Sequence, residues 1–263
     1  MIKAVFLDMD GTLISFKTHQ IAPAVFDALN ALKQQGVRLF IATGRAKDGL
    51  SVLKGFPFDG YITLNGQFCF TEDEVLYENT LKKESVCRLL EEIERDPIPV
   101  GFQLRDERIF NFRNELVDEI HAITRNDDAP AGDITGIENK PIYQCMIFAD
   151  EQREKKIMSF LPDCHSARWY HTFFDLSPKG GTKGMGIDRF LARYDIPLAD
   201  SLAIGDGGND LEMILHAGHG CAMKNSNPKL LEAAEYVCAD VDEEGIVDCF
   251  RHYGMLQGTG RRG

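Results

Sequence analysis

The stretch Asp8-Met9-Asp10-Gly11-Thr12 decides how this sequence folds, and it directly follows the apolar run Ala4-Val5-Phe6-Leu7. Such a run is typical of a buried central strand in a parallel sheet. Two carboxylates at the end of a buried strand repel each other, and burying an unpaired carboxylate is costly. A divalent cation would remove this cost and leave one carboxylate oxygen free to act as a nucleophile. The pattern therefore predicts a metal-assisted site at the end of the first strand.

Strand-like and helix-like segments alternate around this stretch. Residues 23–35, for example, place Val25, Leu29 and Leu32 on one face of a helix that ends at Gly36. The predicted elements of this kind are strands over 5–7, 37–42, 61–64 and 201–204, and helices over 23–35, 183–194 and 210–216. This alternation indicates an α/β fold with a doubly wound, mostly parallel, Rossmann-like core sheet.

Residues 81–180 break the alternation. They contain pairs of short strand candidates between helices, which is typical of an α+β domain. A segment of ~100 residues is also long enough to fold by itself. We therefore predict a core formed by residues 1–80 and 181–263, with residues 81–180 as an inserted α+β cap domain that selects the substrate.

The charge balance limits the classes of partner. Asp and Glu outnumber Lys and Arg by 41 to 29 in the 263 residues, which gives a formal net charge of -12. This charge opposes binding to a nucleic-acid backbone and gives no reason to expect an anionic membrane surface as partner. A small phosphorylated substrate stays compatible with it, because a cation and a lysine can reverse the field inside one cleft.

The cysteines and the N-terminus indicate the compartment. The seven cysteines are scattered and never spaced as Cys-x-x-Cys, which is typical of reduced thiols in a cytoplasmic protein. Asp8 interrupts the first apolar stretch too early for a signal peptide, and no uncharged stretch approaches the ~18 residues of a membrane span. We expect a cytoplasmic monomer that binds neither nucleic acid nor membranes.

A second acidic cluster, Gly205-Asp206-Gly207-Gly208-Asn209-Asp210, directly follows the predicted strand over 201–204. Its carboxylate and amide oxygens suit a hard cation such as Mg²⁺. A plain surface turn is the alternative, since Gly, Asn and Asp dominate turns. Because open α/β sheets bind ligands at the carboxyl ends of their strands, we expect this cluster to converge with Asp8 and Asp10.

Two further segments fit a phosphate. Thr43-Gly44 ends the second strand, where a hydroxyl and backbone N–H groups can bind phosphate oxygens. Lys183 stands at the start of a predicted helix, whose N-terminus favours an anion. The alternative for Lys183 is a solvated surface lysine. The Gly-x-x-x-x-Gly-Lys-Ser/Thr string of a P-loop does not occur in the sequence. Asn65-Gly66 ends the third strand and is a weaker candidate for contact with substrate or cap.

These motifs, in this order, resemble those of the haloacid dehalogenase superfamily. They are Asp8-x-Asp10-Gly11-Thr12, Thr43-Gly44-Arg45, Lys183-Gly184 and Gly205-Asp206-Gly207-x-Asn209-Asp210-x-x-Met213. The length, the position of the insert and Asn225-Ser226-Asn227 are similar to the Cof-type subgroup of sugar-phosphate phosphatases.

The resemblance implies a role for each motif. Asp8 would attack phosphorus to form an aspartyl-phosphate, and Asp10 would act as general acid and then as general base. Mg²⁺ would be held by Asp8, by the backbone carbonyl of Asp10 and by Asp206, with Asn209 and Asp210 in the surrounding shell.

The phosphate oxygens would be held mainly by Thr43 and Lys183, which therefore count with Asp8 and Asp10 as catalytic residues. The full set expected to bind phosphate or substrate is Thr43, Gly44, Arg45, Lys183 and Asn209.

The expected function is Mg²⁺-dependent hydrolysis of a small phosphorylated metabolite, with a sugar phosphate favoured. A phosphomutase or phosphotransferase of the same superfamily is one alternative. A catalytically silent sensor of phosphorylated metabolites is another, although such a protein would be expected to lack some of Asp8, Asp10, Asp206 and Lys183. A nucleotide-binding module is disfavoured, because no Gly-x-Gly-x-x-Gly follows any predicted strand.

Overall fold

A computed structural model of the protein describes residues 1–124 and 129–256. The chain divides into two compact units. The core unit comprises Met1–Arg45, Gly49–Glu78 and the described residues from Gly181 onward, and the inserted unit comprises Ala46–Asp48 and Asn79–Gly180.

The strands of both units are numbered along the chain. They are β1 (Ala4–Leu7), β2 (Arg38–Ala42), β3 (Gly60–Thr63), β4 (Phe68–Phe70), β5 (Val75–Glu78), β6 (Val100–Gln103), β7 (Arg108–Phe110), β8 (Gln144–Ile147), β9 (Cys164–Tyr170), β10 (Phe173–Pro178), β11 (Ser201–Gly205), β12 (His219–Met223) and β13 (Tyr236–Cys238).

The helices are numbered in the same way. They are α1 (Pro23–Gln34), α2 (Lys83–Arg95), α3 (Glu115–Thr124), α4 (Glu151–Ser159), α5 (Lys183–Tyr194), α6 (Leu211–His216), α7 (Pro228–Ala233) and α8 (Gly245–His252). Short 3-10 turns join several of these elements.

The sheet of the core unit has the order β13-β12-β11-β1-β2-β3-β4-β5. The strands from β13 to β3 run parallel, whereas β4 and β5 are antiparallel additions at one edge. The predicted α/β fold with a mostly parallel core sheet is thus confirmed. The strands β4 and β5 were not among the elements predicted from the sequence.

Helices cover both faces of this sheet, because successive side chains of a strand point to opposite sides. Val5 and Leu7 of β1 pack in one hydrophobic cluster with residues of α1 and α8. Ala4 and Phe6 pack in another with residues of α5, α6 and α7. The sheet is therefore buried on both faces, and its ligand-accessible side chains lie at the carboxyl ends of the strands.

The inserted unit is built on an antiparallel sheet of order β7-β6-β8-β10-β9. Helices α2 and α4 cover one face through a cluster that includes Val86, Leu89, Phe102 and Ile157. Helix α3 covers part of the other face, where Val117 and Ile120 pack with aromatic residues of the sheet. The sequence pattern predicts helices over 83–95, 116–125 and 152–160 in this segment. The bounds of α2, α3 and α4 differ from these by about one residue, which is the usual scatter of helix assignments, and residue 125 lies outside the described residues.

Over the described residues, none of the helices is both long enough and apolar enough to span a membrane. All seven cysteines have free thiols, and only Cys87 is not buried.

Candidate active site

A buried lysine joins the two acidic segments. Lys183 is the first residue of α5, and the hydroxyl of Thr182 caps this helix by accepting a hydrogen bond from the backbone N–H of Met185. The Lys183 Nζ donates to Asp8 Oδ1 at 2.6 Å and to Asp210 Oδ1 at 2.5 Å. Its side chain is fully buried, so Lys183 is not a solvated surface lysine.

Three carboxylates meet around this ammonium group. Oxygen atoms of Asp8, Asp206 and Asp210 all lie within 4.8 Å of one another. Asp8 follows β1 and Asp206 follows β11, and these strands are parallel neighbours, so both segments end at the same edge of the sheet. The structure therefore brings Asp8 together with the second acidic segment, as expected from the order of the strands.

Asp210 shapes the turn that carries Asp206. Its Oδ2 accepts hydrogen bonds from the backbone N–H groups of Asp206 at 3.0 Å and of Gly207 at 2.8 Å. A Cβ at position 205 would lie 2.6 Å from the Asp210 side chain, so the close packing of this turn requires glycine there. With Oδ1 bound to Lys183, both oxygens of Asp210 already have partners inside the protein.

The sequence did not assign a role to Thr12 beyond its place in the motif. In the fold, the Thr12 hydroxyl donates a hydrogen bond to Asp206 Oδ1 at 2.9 Å and thus links the two acidic segments directly. The close approach of Gly11 to the Asp206 carboxylate is possible because glycine has no Cβ.

The electrostatics show an excess of negative charge. Burial and the neighbouring Asp210 hold the pKa of Asp8 well above its usual range. Burial also raises the pKa of Asp206 to about 7, although the hydrogen bond from Thr12 works in the opposite direction. Burial disfavours the charged form of Lys183, but Asp210 and Asp8 raise its pKa overall, so its ammonium group stays charged.

One ammonium group faces three carboxylates, so the cluster lacks positive charge. A hard divalent cation with a preference for oxygen ligands would supply that charge, and carboxylates are the ligands such ions take. The donor set of this cluster therefore fits a divalent metal ion.

The carboxylate of Asp10 is paired with Arg45. The Arg45 Nε donates to Asp10 Oδ2 at 2.8 Å and its Nη2 donates to Asp10 Oδ1 at 2.6 Å. The Nη1 atom donates to the backbone oxygen of Gly49 at 3.1 Å. Arg45 is predicted to bind phosphate or substrate, and in this structure its guanidinium holds the carboxylate of Asp10.

Asn65 contacts Thr43, Gly44 and Asn209, which are expected to bind phosphate or substrate. Its backbone N–H donates to the oxygen of Thr43 at 3.0 Å, and its side-chain Oδ1 accepts from Asn209 Nδ2 at 2.9 Å. A Cβ on Gly44 would lie 3.2 Å from the same Oδ1. Asn65 thus ties the loop after β2 to the loop after β11.

The backbone at this connection adopts an unusual conformation. Leu64 has a φ of 51°, Asn65 of 55° and Gly66 of 97°. Left-handed backbone is uncommon outside glycine and is found most often at functional sites. The backbone N–H of Leu64 donates to the oxygen of Arg45 at 3.0 Å, so this turn also supports the Arg45 segment.

The profile of the haloacid dehalogenase-like hydrolases matches residues 5–250, which is most of the chain. The chain belongs to this family. It is a phosphoric monoester hydrolase of the Cof-type group, as phosphatase relatives that align over nearly its whole length indicate. This family generally uses a divalent metal, and the cluster of Asp8, Asp206 and Asp210 could bind one.

Among the relatives, a Bacillus subtilis (strain 168) protein named "Putative phosphatase YkrA" is 32% identical over 260 residues, covering 97% of this chain and 99% of the relative. The structure of BT1666, a phosphatase from Bacteroides thetaiotaomicron, superposes with a TM-score of 0.90 at 32% identity, over 97% of this chain and 96% of that one. BT4131, described as a subclass IIB sugar phosphatase, superposes with a TM-score of 0.85 at 36% identity, over 97% and 100% of the two chains.

Proposed function

We propose that this protein is a Mg²⁺-dependent phosphatase that hydrolyses a small sugar phosphate through an aspartyl-phosphate on Asp8. The observation that carries the proposal is the placement of Asp8. It lies at the carboxyl end of a central strand, is bound to a buried lysine, and is within 4.8 Å of two further carboxylates. A nucleophilic carboxylate next to a cation site is the arrangement that phosphoryl transfer requires.

In the first step, an oxygen of Asp8 forms a bond to phosphorus as the bond between phosphorus and the ester oxygen breaks. The leaving oxygen takes a proton from the carboxyl group of Asp10, so the product is a neutral alcohol. In the second step, Asp10 takes a proton from water, and the resulting hydroxide attacks phosphorus. The bond between phosphorus and Asp8 breaks, which releases inorganic phosphate and restores both carboxyl groups.

Asp8, Asp206 and the backbone carbonyl of Asp10 would hold Mg²⁺, which supplies positive charge against the repulsion between the Asp8 carboxylate and phosphate. Both oxygens of Asp210 have protein partners, which supports a role outside the direct ligands.

The phosphate oxygens would be bound by Lys183, by Thr43 and Gly44, and by Asn209. The Thr43 Oγ1 accepts a hydrogen bond from the backbone N–H of Arg45 at 3.1 Å. Within residues 1–124 and 129–256 its hydroxyl hydrogen has no acceptor, so it can donate to a phosphate oxygen. The Asn209 amide uses one N–H on Asn65 and keeps its second N–H for a ligand.

A sugar phosphate is the substrate class we favour because BT4131, which aligns over 97% of this chain, is described as a sugar phosphatase. We propose that residues 81–180 act as a cap that closes over the site and selects the leaving group. The enzyme would act as a cytoplasmic monomer.

The test is release of phosphate from a panel of sugar phosphates, nucleotides and cofactor phosphates, each with Mg²⁺ and with EDTA. We expect release that depends on the metal and is fastest with sugar phosphates. Phosphorus NMR of the products separates hydrolysis, which gives free phosphate, from transfer to another hydroxyl. The absence of metal-dependent phosphate release from every ester would overturn the proposal.

A further inference from the structure

A fully buried glutamine lies in the turn that follows β3. The Nε2 atom of Gln67 donates a hydrogen bond to the backbone oxygen of Gly181 at 3.2 Å. The backbone N–H of Gln67 donates to the oxygen of Leu64, also at 3.2 Å, so the turn itself holds this residue. Gln67 and Gly181 are 114 residues apart in the sequence, and both belong to the core unit. Gln67 therefore joins the turn after β3 to the segment that leads into α5.

The turn and this segment pack backbone against backbone. A Cβ on Gly181 would overlap with Gln67 Oε1, and a Cβ on Gly66 would overlap with the backbone oxygen of Thr182. A side chain at either position would therefore displace its neighbour. The amide of Gln67 fills the space beside Gly181 and contacts its backbone directly.

The burial of an amide at this position needs a physical reason. Burial of an amide is costly unless it is hydrogen-bonded, and even then the net gain in stability is small. An apolar side chain of the same size would be buried without this cost, but it would not fix the direction of the Gly181 carbonyl. The specific contribution of Gln67 is therefore the orientation of the peptide group between Gly181 and Thr182.

This peptide group directly precedes Lys183. Thr182 is the N-cap of α5, and the Lys183 ammonium group donates to Asp8 at 2.6 Å and to Asp210 at 2.5 Å. These contacts use two of its three hydrogen atoms, and the third can donate to a phosphate oxygen. An ammonium group with three partners needs a fixed backbone, because a displacement of about 1 Å can lower the rate of a reaction about a hundredfold.

We propose that Gln67 is a positioning residue for phosphoryl transfer, which acts through the Gly181–Thr182 peptide to hold Lys183 where its ammonium group reaches the phosphate. The inference rests on the proposed function, in which Lys183 binds a phosphate oxygen. The contact of Gln67 is with the backbone before Lys183, so its effect on the reaction is indirect. The same turn holds Asn209 through Asn65, so it orients two of the groups proposed to bind phosphate.

The test variant is Gln67→Met, which keeps the length of the side chain but removes its amide. The matched control is Ser201→Ala. Ser201 is also fully buried in the core unit, and its hydroxyl donates to the backbone oxygen of Leu198 at 2.6 Å. It is the first residue of β11, whereas the acidic segment follows the last residue of that strand. The control therefore removes a hydrogen bond of the same kind at the end of the sheet away from the site.

Two measurements are made on the full-length enzyme with Mg²⁺. Steady-state hydrolysis of p-nitrophenyl phosphate gives kcat and KM. Titration calorimetry with orthovanadate, an analogue of the phosphoryl group during transfer, gives an affinity that does not depend on turnover.

We expect Gln67→Met to lower kcat about tenfold with little change in KM, because a displaced ammonium group stabilises the transferring phosphoryl group less. The affinity for orthovanadate should fall by a similar factor. Ser201→Ala should keep the wild-type values of both. A Gln67 variant with wild-type kcat and orthovanadate affinity, or equal losses in the variant and the control, would overturn the inference and leave the proposed function in place.

If the wild-type enzyme neither hydrolyses p-nitrophenyl phosphate nor binds orthovanadate, the proposed function fails and the inference fails with it. Circular dichroism and thermal unfolding establish that each variant folds. Should Gln67→Met not fold, Gly181→Ala takes its place with the same expected changes. The backbone of Gly181 is not left-handed, so alanine is tolerated there, and its Cβ would displace the Gln67 amide.

Discussion

Arg45 binds both carboxylate oxygens of Asp10, through Nε at 2.8 Å and Nη2 at 2.6 Å. The planar guanidinium fixes the plane and the direction of this carboxylate, which a single hydrogen bond would not do. The side chain of Arg45 is in turn anchored to the backbone oxygen of Gly49. The residue proposed to transfer protons is therefore held in place by an arginine from the loop that follows the neighbouring strand β2.

Arg45→Gln should lower kcat about tenfold to a hundredfold and change KM much less, because displacing a proton-transfer group by a fraction of an ångström slows the chemical step. Arg45→Lys should restore little, since an ammonium group cannot form the two parallel hydrogen bonds. Steady-state kinetics on the best substrate measures kcat and KM of the two variants. Arg38→Gln, at the other end of β2 and paired with Asp59, is the control. A rise in KM at constant kcat would instead place Arg45 on the substrate, as the sequence suggested.

Asp8→Asn should abolish phosphate release while the protein stays folded, because an amide cannot replace the attacking carboxylate. The neutral side chain also relieves repulsion among the three carboxylates, so thermal stability in EDTA should not fall. Phosphate release and thermal unfolding of the same preparation provide the two measurements. Turnover close to that of the wild type would show that Asp8 is not the nucleophile.

Asp206→Asn should raise the Mg²⁺ concentration needed for half-maximal activity, because it removes one of three charges in the cluster. Titration of activity with Mg²⁺ measures this concentration. We expect it to rise at least about tenfold, which corresponds to the loss of one contact with a charged group. Asp188→Asn, on the exposed face of α5, is the control. Superimposable titration curves for the Asp206 variant and the wild type would remove Asp206 from the metal site.

Asn65→Gly should lower kcat/KM about tenfold, because it removes the hydrogen bond that positions Asn209. Its stability should change by less than about 1 kcal/mol, because glycine adopts the left-handed backbone without strain. The control is Asp195→Gly, which also places glycine at a left-handed position, because Asp195 at the end of α5 has a φ of 52°. Equal activity in the two variants would reduce Asn65 to a structural turn residue.

Glu92→Gln should destabilise the protein in a pH-dependent manner. Glu92 is buried and bound by Lys156 at 2.7 Å and Arg153 at 2.8 Å, and the hydrogen bond from Lys156 lowers its pKa. A lowered folded-state pKa contributes stability above the unfolded value of about 4.3, and this contribution disappears as the pH falls through the folded value.

At neutral pH the variant should lose about 1 kcal/mol in the free energy of unfolding, because Lys156 is half-exposed and solvent screens its interaction with Glu92. The difference from the wild type should shrink steadily toward about pH 3, below the unfolded pKa of glutamate. Urea unfolding at several pH values measures it, with the exposed neighbour Glu91→Gln as control. A loss that is independent of pH would mean that packing, rather than charge, accounts for the effect.

The sequence by itself determined the α/β class and the residues that gather at one edge of the sheet. Alternating apolar segments specify strands and helices locally, and parallel strands then bring their carboxyl ends to a common edge. Asp8 and Asp206 could therefore be placed together although they lie far apart in the chain. The antiparallel strands β4 and β5 were not foreseen, because such short strands form only when a neighbouring edge is available to pair with them.

Only the tertiary structure decided how the site residues pair. Lys183 was expected to hold phosphate, and the fold shows it bound to Asp8 and Asp210. Arg45 was grouped with the phosphate ligands, and the fold places it on Asp10. Hydrogen bonds between distant segments require both distance and orientation, and neither is encoded in the local pattern of residues.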